Sequence, residues 1–188
     1  MNSFEYISVL ISVLLGLAVT HLVVGMVSMI QNRETTKVYW VHLVWVLNIL
    51  VYITMWWWAF HTWADLDDWS QPIFYLLFGY SLVLSAIAGL LFPVHGRETD
   101  YRAFFYRQFR WFFGLQVIWL SLDVIEVLVK ESVGLRPVPA DYFLLTIPVI
   151  LGLLIGAIVK SSKYHAFLAL SVLLFNAYYA ATIFVDIS

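Results

Sequence analysis

Six long apolar stretches, joined by loops too short to hold a folded unit of their own, run the length of this 188-residue chain. They cover residues 4–30, 38–63, 72–92, 104–129, 142–159 and 164–187. Each has roughly the twenty residues that carry an α-helix across about 30 Å of hydrocarbon. Continuous apolar runs without period-two alternation exclude membrane β-strands. The expected fold class is all-α: an integral membrane bundle of six transmembrane helices, a single domain over 1–188. Composition agrees, since 63% hydrophobic and 12% charged residues exceed what a soluble core and its solvated surface require.

The first stretch does not read as a signal peptide. Met1-Asn2-Ser3-Phe4-Glu5 carries no base, and the apolar run is too long and lacks a small-residue cleavage site, so it is expected to stay as a helix. The chain has no cysteine, which excludes disulfides, thiolate metal sites and covalently attached haem.

Orientation follows from the bases. Arg33 and Lys37 lie in the first loop, Arg97, Arg102, Arg107 and Arg110 in and after the third, and Lys160 and Lys163 in the fifth. The alternate loops hold Lys130 and Arg136, and the second presents Asp65, Asp67 and Asp68 without a base. Lys and Arg resist translocation, so the odd loops are expected in the cytoplasm and both termini outside. The membrane is expected to be the plasma membrane, or the inner membrane of a Gram-negative cell. A net charge of -2 gives no reason to expect a nucleic-acid partner; the basic loops read as topology determinants and contacts to anionic lipid.

Several tryptophans, Trp40, Trp63, Trp69 and Trp111 among them, fall near helix ends, where indoles anchor a helix at headgroup level. Trp56, Trp57 and Trp58 are consecutive, and consecutive helix positions point about 100° apart. One of these rings must therefore face protein or a ligand. Small residues mark expected close helix approaches: Ser12, Gly16 and Thr20 on the first helix, and the GxxxG of Gly152 and Gly156 on the fifth. The second pair is expected to serve as internal packing or as the seam of a homo-oligomer. Pro148 should kink the fifth helix. A shared pattern at Gly16-Leu17-Ala18-Val19 and Gly114-Leu115-Gln116-Val117 is compatible with two inverted three-helix halves.

Polar residues at depth carry the chemistry. Asp123 lies about 19 Å along its helix from Arg110, within the outer half of the hydrocarbon. A carboxylate there is costly and reads as functional. Gln108, Phe112, Gln116, Trp119, Asp123, Glu126 and Lys130 follow three- and four-residue steps, so they share a face, with Glu126 and Lys130 as an i, i+4 pair. On the sixth helix His165, Ala169, Val172, Asn176, Tyr179 and Asp186 form a matching stripe. Asn176 and Asn48 lie near mid-membrane, where amides commonly join helices. His21 and His42 fall in the inner half, His95 and His165 at the cytoplasmic boundary, and His61 outside.

Carboxylates outside, amides in the middle and imidazoles inside describe a seam able to pass protons or a small cation. Its expected members are Asp123, Glu126, Gln116, Asn48, Asn176, His21 and His42. A non-catalytic membrane subunit or scaffold is the main alternative, with the same residues as interhelical glue and with membrane lipids, further copies or other membrane subunits as partners. A second alternative is b-type haem held by His21 and His42 for electron transfer. Otherwise no cofactor or metal is expected. Retinal binding lacks a lysine inside the bundle, and no H-E-x-x-H, Walker loop, nucleophile elbow or potassium-filter sequence occurs, so an enzyme is not expected.

Overall fold

The computed structural model describes residues 3–94 and 98–186, with side chains through Ala181. The expectations placed on His95, Arg97 and the Asp186 side chain fall outside the described residues. The elements are α1 (Ser3–Gln31), α2 (Trp40–Phe60) with a 3-10 turn at His61–Asp65, α3 (Gln71–Gly89), α4 (Tyr101–Ser132), α5 (Tyr142–Ile158) and α6 (Ser162–Asp186). Every boundary lies within three residues of its expected place. Five of these helices are long and apolar enough to cross a membrane, whereas α5 has 17 residues. That length is about 26 Å, slightly less than the hydrocarbon thickness.

Local chemistry sets the helix ends. Pro72 occupies the first turn of α3, where its missing N–H is not needed. Asp100 caps α4 by accepting from the Arg102 and Ala103 backbone N–H groups at 3.0 and 2.9 Å. At the other end of α4, Leu135 N–H reaches Lys130 O and Gly134 N–H reaches Glu131 O, with Gly134 at φ +74°. This is the hydrogen-bond pattern of a Schellman stop, and the left-handed residue it needs is glycine. It turns the segment Arg136 to Pro139 back toward the helices.

We call the end with the α4–α5 loop the upper end, and the end with the α3–α4 loop the lower end. The lower loops are stitched together: Lys37 N–H donates to Thr99 O at 2.7 Å, and Tyr101 N–H donates to Lys37 O at 3.1 Å. Tyr39 Oη meets Ser162 Oγ at 3.2 Å and brings in the start of α6. At the centre stands α2, which buries His42, Trp45, Asn48, Tyr52 and Trp56 along its length. Against it pack α1, α3, α4 and α6.

The two halves do not repeat each other. α1 lies along α3, but α4 lies along α3 and α5 rather than α6, so the pairing expected of inverted halves is absent. The small residues also divide differently from expectation. Ser12, Gly16 and Thr20 are exposed, and α1 instead buries Ile7, Ile11, Leu15, Ala18 and Leu22. Gly152 and Gly156 pack inside the chain: a Cβ on either would stand 3.0 Å from a Leu168 methyl of α6. The tightest notch is Gly25, where a Cβ would fall 2.1 Å from Cγ of Phe92.

Candidate functional site

The polar face expected on α4 is present and points inward. Glu126 and Lys130 are both buried, and Nζ of Lys130 lies 2.9 Å from Oε1 of Glu126. Two indoles complete the carboxylate: Trp56 Nε1 donates to Oε2 at 2.8 Å and Trp63 Nε1 to Oε1 at 2.9 Å. Lys130 also donates to Ala59 O at 3.1 Å. The charge is thus matched by a charge and every strong acceptor is occupied, the condition under which a buried ion pair persists. Of the consecutive tryptophans, Trp56 is the ring turned inward, while Trp57 and Trp58 are exposed.

Asp123, one turn away on the same face, has no ion-pair partner among the described residues. Its carboxylate is held by two phenols, with Tyr80 donating to Oδ1 at 2.9 Å and Tyr142 to Oδ2 at 2.6 Å. Beside it opens a cavity of about 110 Å³, lined from α2, α3, α4, α5 and α6 and, at the upper end, by Arg136, Pro137 and Pro139. Trp119 and Asn176 form part of its wall. The sequence reading missed the two tyrosines. Tyr142, the first residue of α5, could have been read as a reach back to the α4 face, but nothing in the sequence marks Tyr80.

The middle of the bundle joins helices by amides. Asn176 Nδ2 donates to Asn48 Oδ1 at 2.9 Å, and Asn48 Nδ2 donates to Ala169 O at 3.0 Å, tying α2 to α6. Gln116 is fully buried, yet neither its Nε2 nor its Oε1 finds a protein partner. Trp119 Nε1, Trp45 Nε1 and His42 Nδ1 are also without one. Trp45 itself packs edge-on against Phe112 and Phe113, each at 5.3 Å between ring centres.

At the lower end three successive carbonyls in the turn that follows α3, those of Leu90, Leu91 and Phe92, receive side chains from three helices. Gln108 Nε2 of α4 donates to Leu90 O. His42 Nε2 of α2 lies 2.6 Å from Leu91 O, and His21 Nε2 of α1 lies 3.2 Å from Phe92 O. A carbonyl only accepts, so each Nε2 carries a proton and donates it. These contacts satisfy backbone carbonyls that the turn leaves without a helical partner. A second cavity, of about 260 Å³, is lined by His21, Ser28, Asn32, Thr35, Phe92, Glu98 and Tyr101 among others. It shares no lining residue with the upper one.

Haem does not fit the histidine pair in this arrangement. Both Nε2 atoms face carbonyl oxygens, and the Phe92 ring stands against each imidazole, 6.4 Å from His21 and 5.2 Å from His42. His165 is likewise committed, between Gly156 O at 3.0 Å and Tyr106 Oη at 3.3 Å. Comparison of the chain with protein-family models, with curated proteins and with solved structures gives no match.

Proposed function

We propose that this chain is a multi-pass membrane protein that accepts a proton or small cation at Asp123 from the upper end and passes it toward the lower end. Five helices long and apolar enough to span a bilayer support the membrane setting. The distribution of Lys and Arg favours a cytoplasmic lower end, and hence termini outside the plasma membrane. One observation carries the transport reading: Asp123 is a carboxylate without a cationic partner, beside a cavity, while the neighbouring Glu126 is fully paired. A carboxylate deep in a membrane segment and facing a cavity marks an ion path by default.

The route beyond Asp123 follows buried polar atoms that lack a protein partner. Trp119 Nε1 is in the upper wall, Gln116 offers a donor and an acceptor next, and Trp45 Nε1 and His42 Nδ1 follow. The His42 ring lies 5.0 Å from that of Tyr101, which lines the lower cavity. Buried polar atoms of this kind are normally met by water, and water bridging them gives protons a chain of exchange sites. Asn48 and Asn176 flank this route as a fixed pair. A second reading, a membrane subunit or scaffold, draws on the closed bonding of that pair and of Glu126 with Lys130.

Flux into liposomes under an imposed pH or alkali-cation gradient tests the proposal. The unmodified protein should give flux, and Asp123→Asn should abolish it while unfolding at nearly the same temperature. No flux across pH and voltage from the unmodified protein would favour the scaffold.

A further inference from the structure

We infer that the lower end holds a site for one anionic phospholipid, whose phosphodiester lies between Arg102 and Lys160 and whose acyl chains run along the exposed face of α5. The inference needs the membrane setting but not transport through Asp123. It narrows the lipid contact expected of every basic loop to a single niche.

Helix length makes the niche. A Cβ on Gly156 would stand 3.5 Å from the Phe113 ring, so these residues of α5 and α4 lie side by side. From there toward the lower end α5 has two more residues, about 3 Å, whereas α4 runs on for twelve, about 18 Å. The turn at 159–161 therefore stops short and leaves the first turns of α4 uncovered, with Arg102 and Ala103 exposed. Beside that turn gather Tyr106 of α4, Tyr39 just before α2 and Ser162 at the start of α6. The two tyrosine rings are 6.3 Å apart, and Tyr39 Oη meets Ser162 Oγ at 3.2 Å.

Two cations flank these rings. The Arg102 guanidinium carbon lies over the Tyr39 ring at 6.0 Å, and Lys160 Nζ over the Tyr106 ring at 5.8 Å. Among the described residues neither cation is paired with a carboxylate. The segments 32–38, 98–110 and 159–163 hold seven bases and three acids. Two of those acids are already engaged, Glu98 with Arg107 and Asp100 with the backbone N–H groups of Arg102 and Ala103. The ring faces restrain both cationic side chains, so less freedom is lost when an anion arrives.

A phosphodiester suits this pair, because arginine offers a planar fork to two of its oxygens and lysine a point charge. A lipid whose headgroup carries its own ammonium would bring a third cation into the niche, which favours phosphatidylglycerol over phosphatidylcholine. The apolar part of the ligand is set by α5. Leu151, Ile155 and Ile158 follow four- and three-residue steps, share a face and are exposed just above Lys160. A helix of 17 residues ends near the hydrocarbon edge, where lipid phosphates begin. Free phosphate would meet the cations and leave this face unused.

The test uses the purified full chain in detergent, titrated with short-chain phosphatidylglycerol or with phosphatidylcholine of equal chain length, and read by thermal unfolding and native mass spectrometry. One phosphatidylglycerol per chain is expected to bind saturably and to raise the unfolding temperature, with phosphatidylcholine about fivefold weaker or more. Arg102→Gln and Lys160→Gln should each weaken the binding about fivefold, as loss of one base facing an anionic lipid does. Both residues are exposed, so without lipid these variants should unfold as the unmodified protein does. Arg33→Gln removes the same charge from the same end but outside the niche, and should change the binding by less than about twofold. Equal weakening by all three substitutions would mean a diffuse basic surface, and equal binding of the two lipids would mean no headgroup recognition; either overturns the inference. Saturation by inorganic phosphate alone at the same concentrations would overturn the lipid as occupant.

Discussion

At the lower end of the bundle His21, His42 and Gln108 each place a nitrogen on a carbonyl of the turn that follows α3, and three helices are fastened to that turn. At the upper end Asp123 receives two phenol hydroxyls and faces a cavity. Residues that look alike in sequence, titratable side chains on apolar helices, therefore perform different work at the two ends. The difference lies in what each group can give. An imidazole with a proton on Nε2 gives a backbone carbonyl the donor it needs. A carboxylate gives no such service when its neighbours are phenols. It either binds something positive or remains an expense to the fold.

Substitution within the upper end gives the largest expected effect and separates its two carboxylates. Glu126→Gln leaves the Lys130 ammonium buried without a counter-charge, and loss of one partner of a buried pair costs about 3–5 kcal/mol. Asp123→Asn keeps an acceptor and a donor for the two tyrosines and should cost under about 1 kcal/mol. Denaturant or thermal unfolding in detergent reads both. Equal losses would erase the distinction between a locked and an open carboxylate.

Next in size is Gly25→Ala at the lower end, where the new methyl would collide with Phe92 and disturb the ring between the two histidine contacts. Overpacking of this kind costs about 1–3 kcal/mol. Gly16→Ala, in open space on the same helix, should cost nothing in the same unfolding assay. Should the two variants melt alike, the Phe92 notch does not organise the lower end.

Asn176→Leu removes the amide that joins α6 to α2 and should lose about 1 kcal/mol, the usual value for one interhelical hydrogen bond in a membrane protein. Its measurement in the Asn48→Leu background should show no further loss if the two amides act as one bond.

The smallest effect is a pH dependence at Asp100, outside the apolar spans. The Ala103 backbone N–H, with that of Arg102 and the charges of Lys37 and Arg102, holds this carboxyl below its ordinary range. Its contribution to stability is then complete above the ordinary carboxylate value of about 4 and disappears as pH falls through the lower folded value. Acidification should weaken the α4 cap in the unmodified protein, and Asp100→Asn should flatten that part of the stability profile.

The helices and their bounds were legible because apolar length and composition act locally. The inward faces of α4 and α6 followed from three- and four-residue steps, and Gln116, Glu126, His165 and Asn176 are buried as those steps require. Partners were harder to read, since they depend on helix order and rotation. The phenol of Tyr80 reaches Asp123 across 43 positions of sequence, and the indole of Trp63 reaches Glu126 across 63. The small residues show the same limit. Stripe spacing on α1 and α5 was equivalent, yet one stripe faces outward and the other holds Leu168.

The contrast between an open Asp123 and a closed Glu126 can be measured directly by labelling with a membrane-permeant carbodiimide, which adds to carboxylic acids it can reach, followed by peptide mass spectrometry. Asp123 should carry the adduct and Glu126 should not. Labelling of Glu126, or an unlabelled Asp123 in protein that is otherwise reactive, would contradict the account.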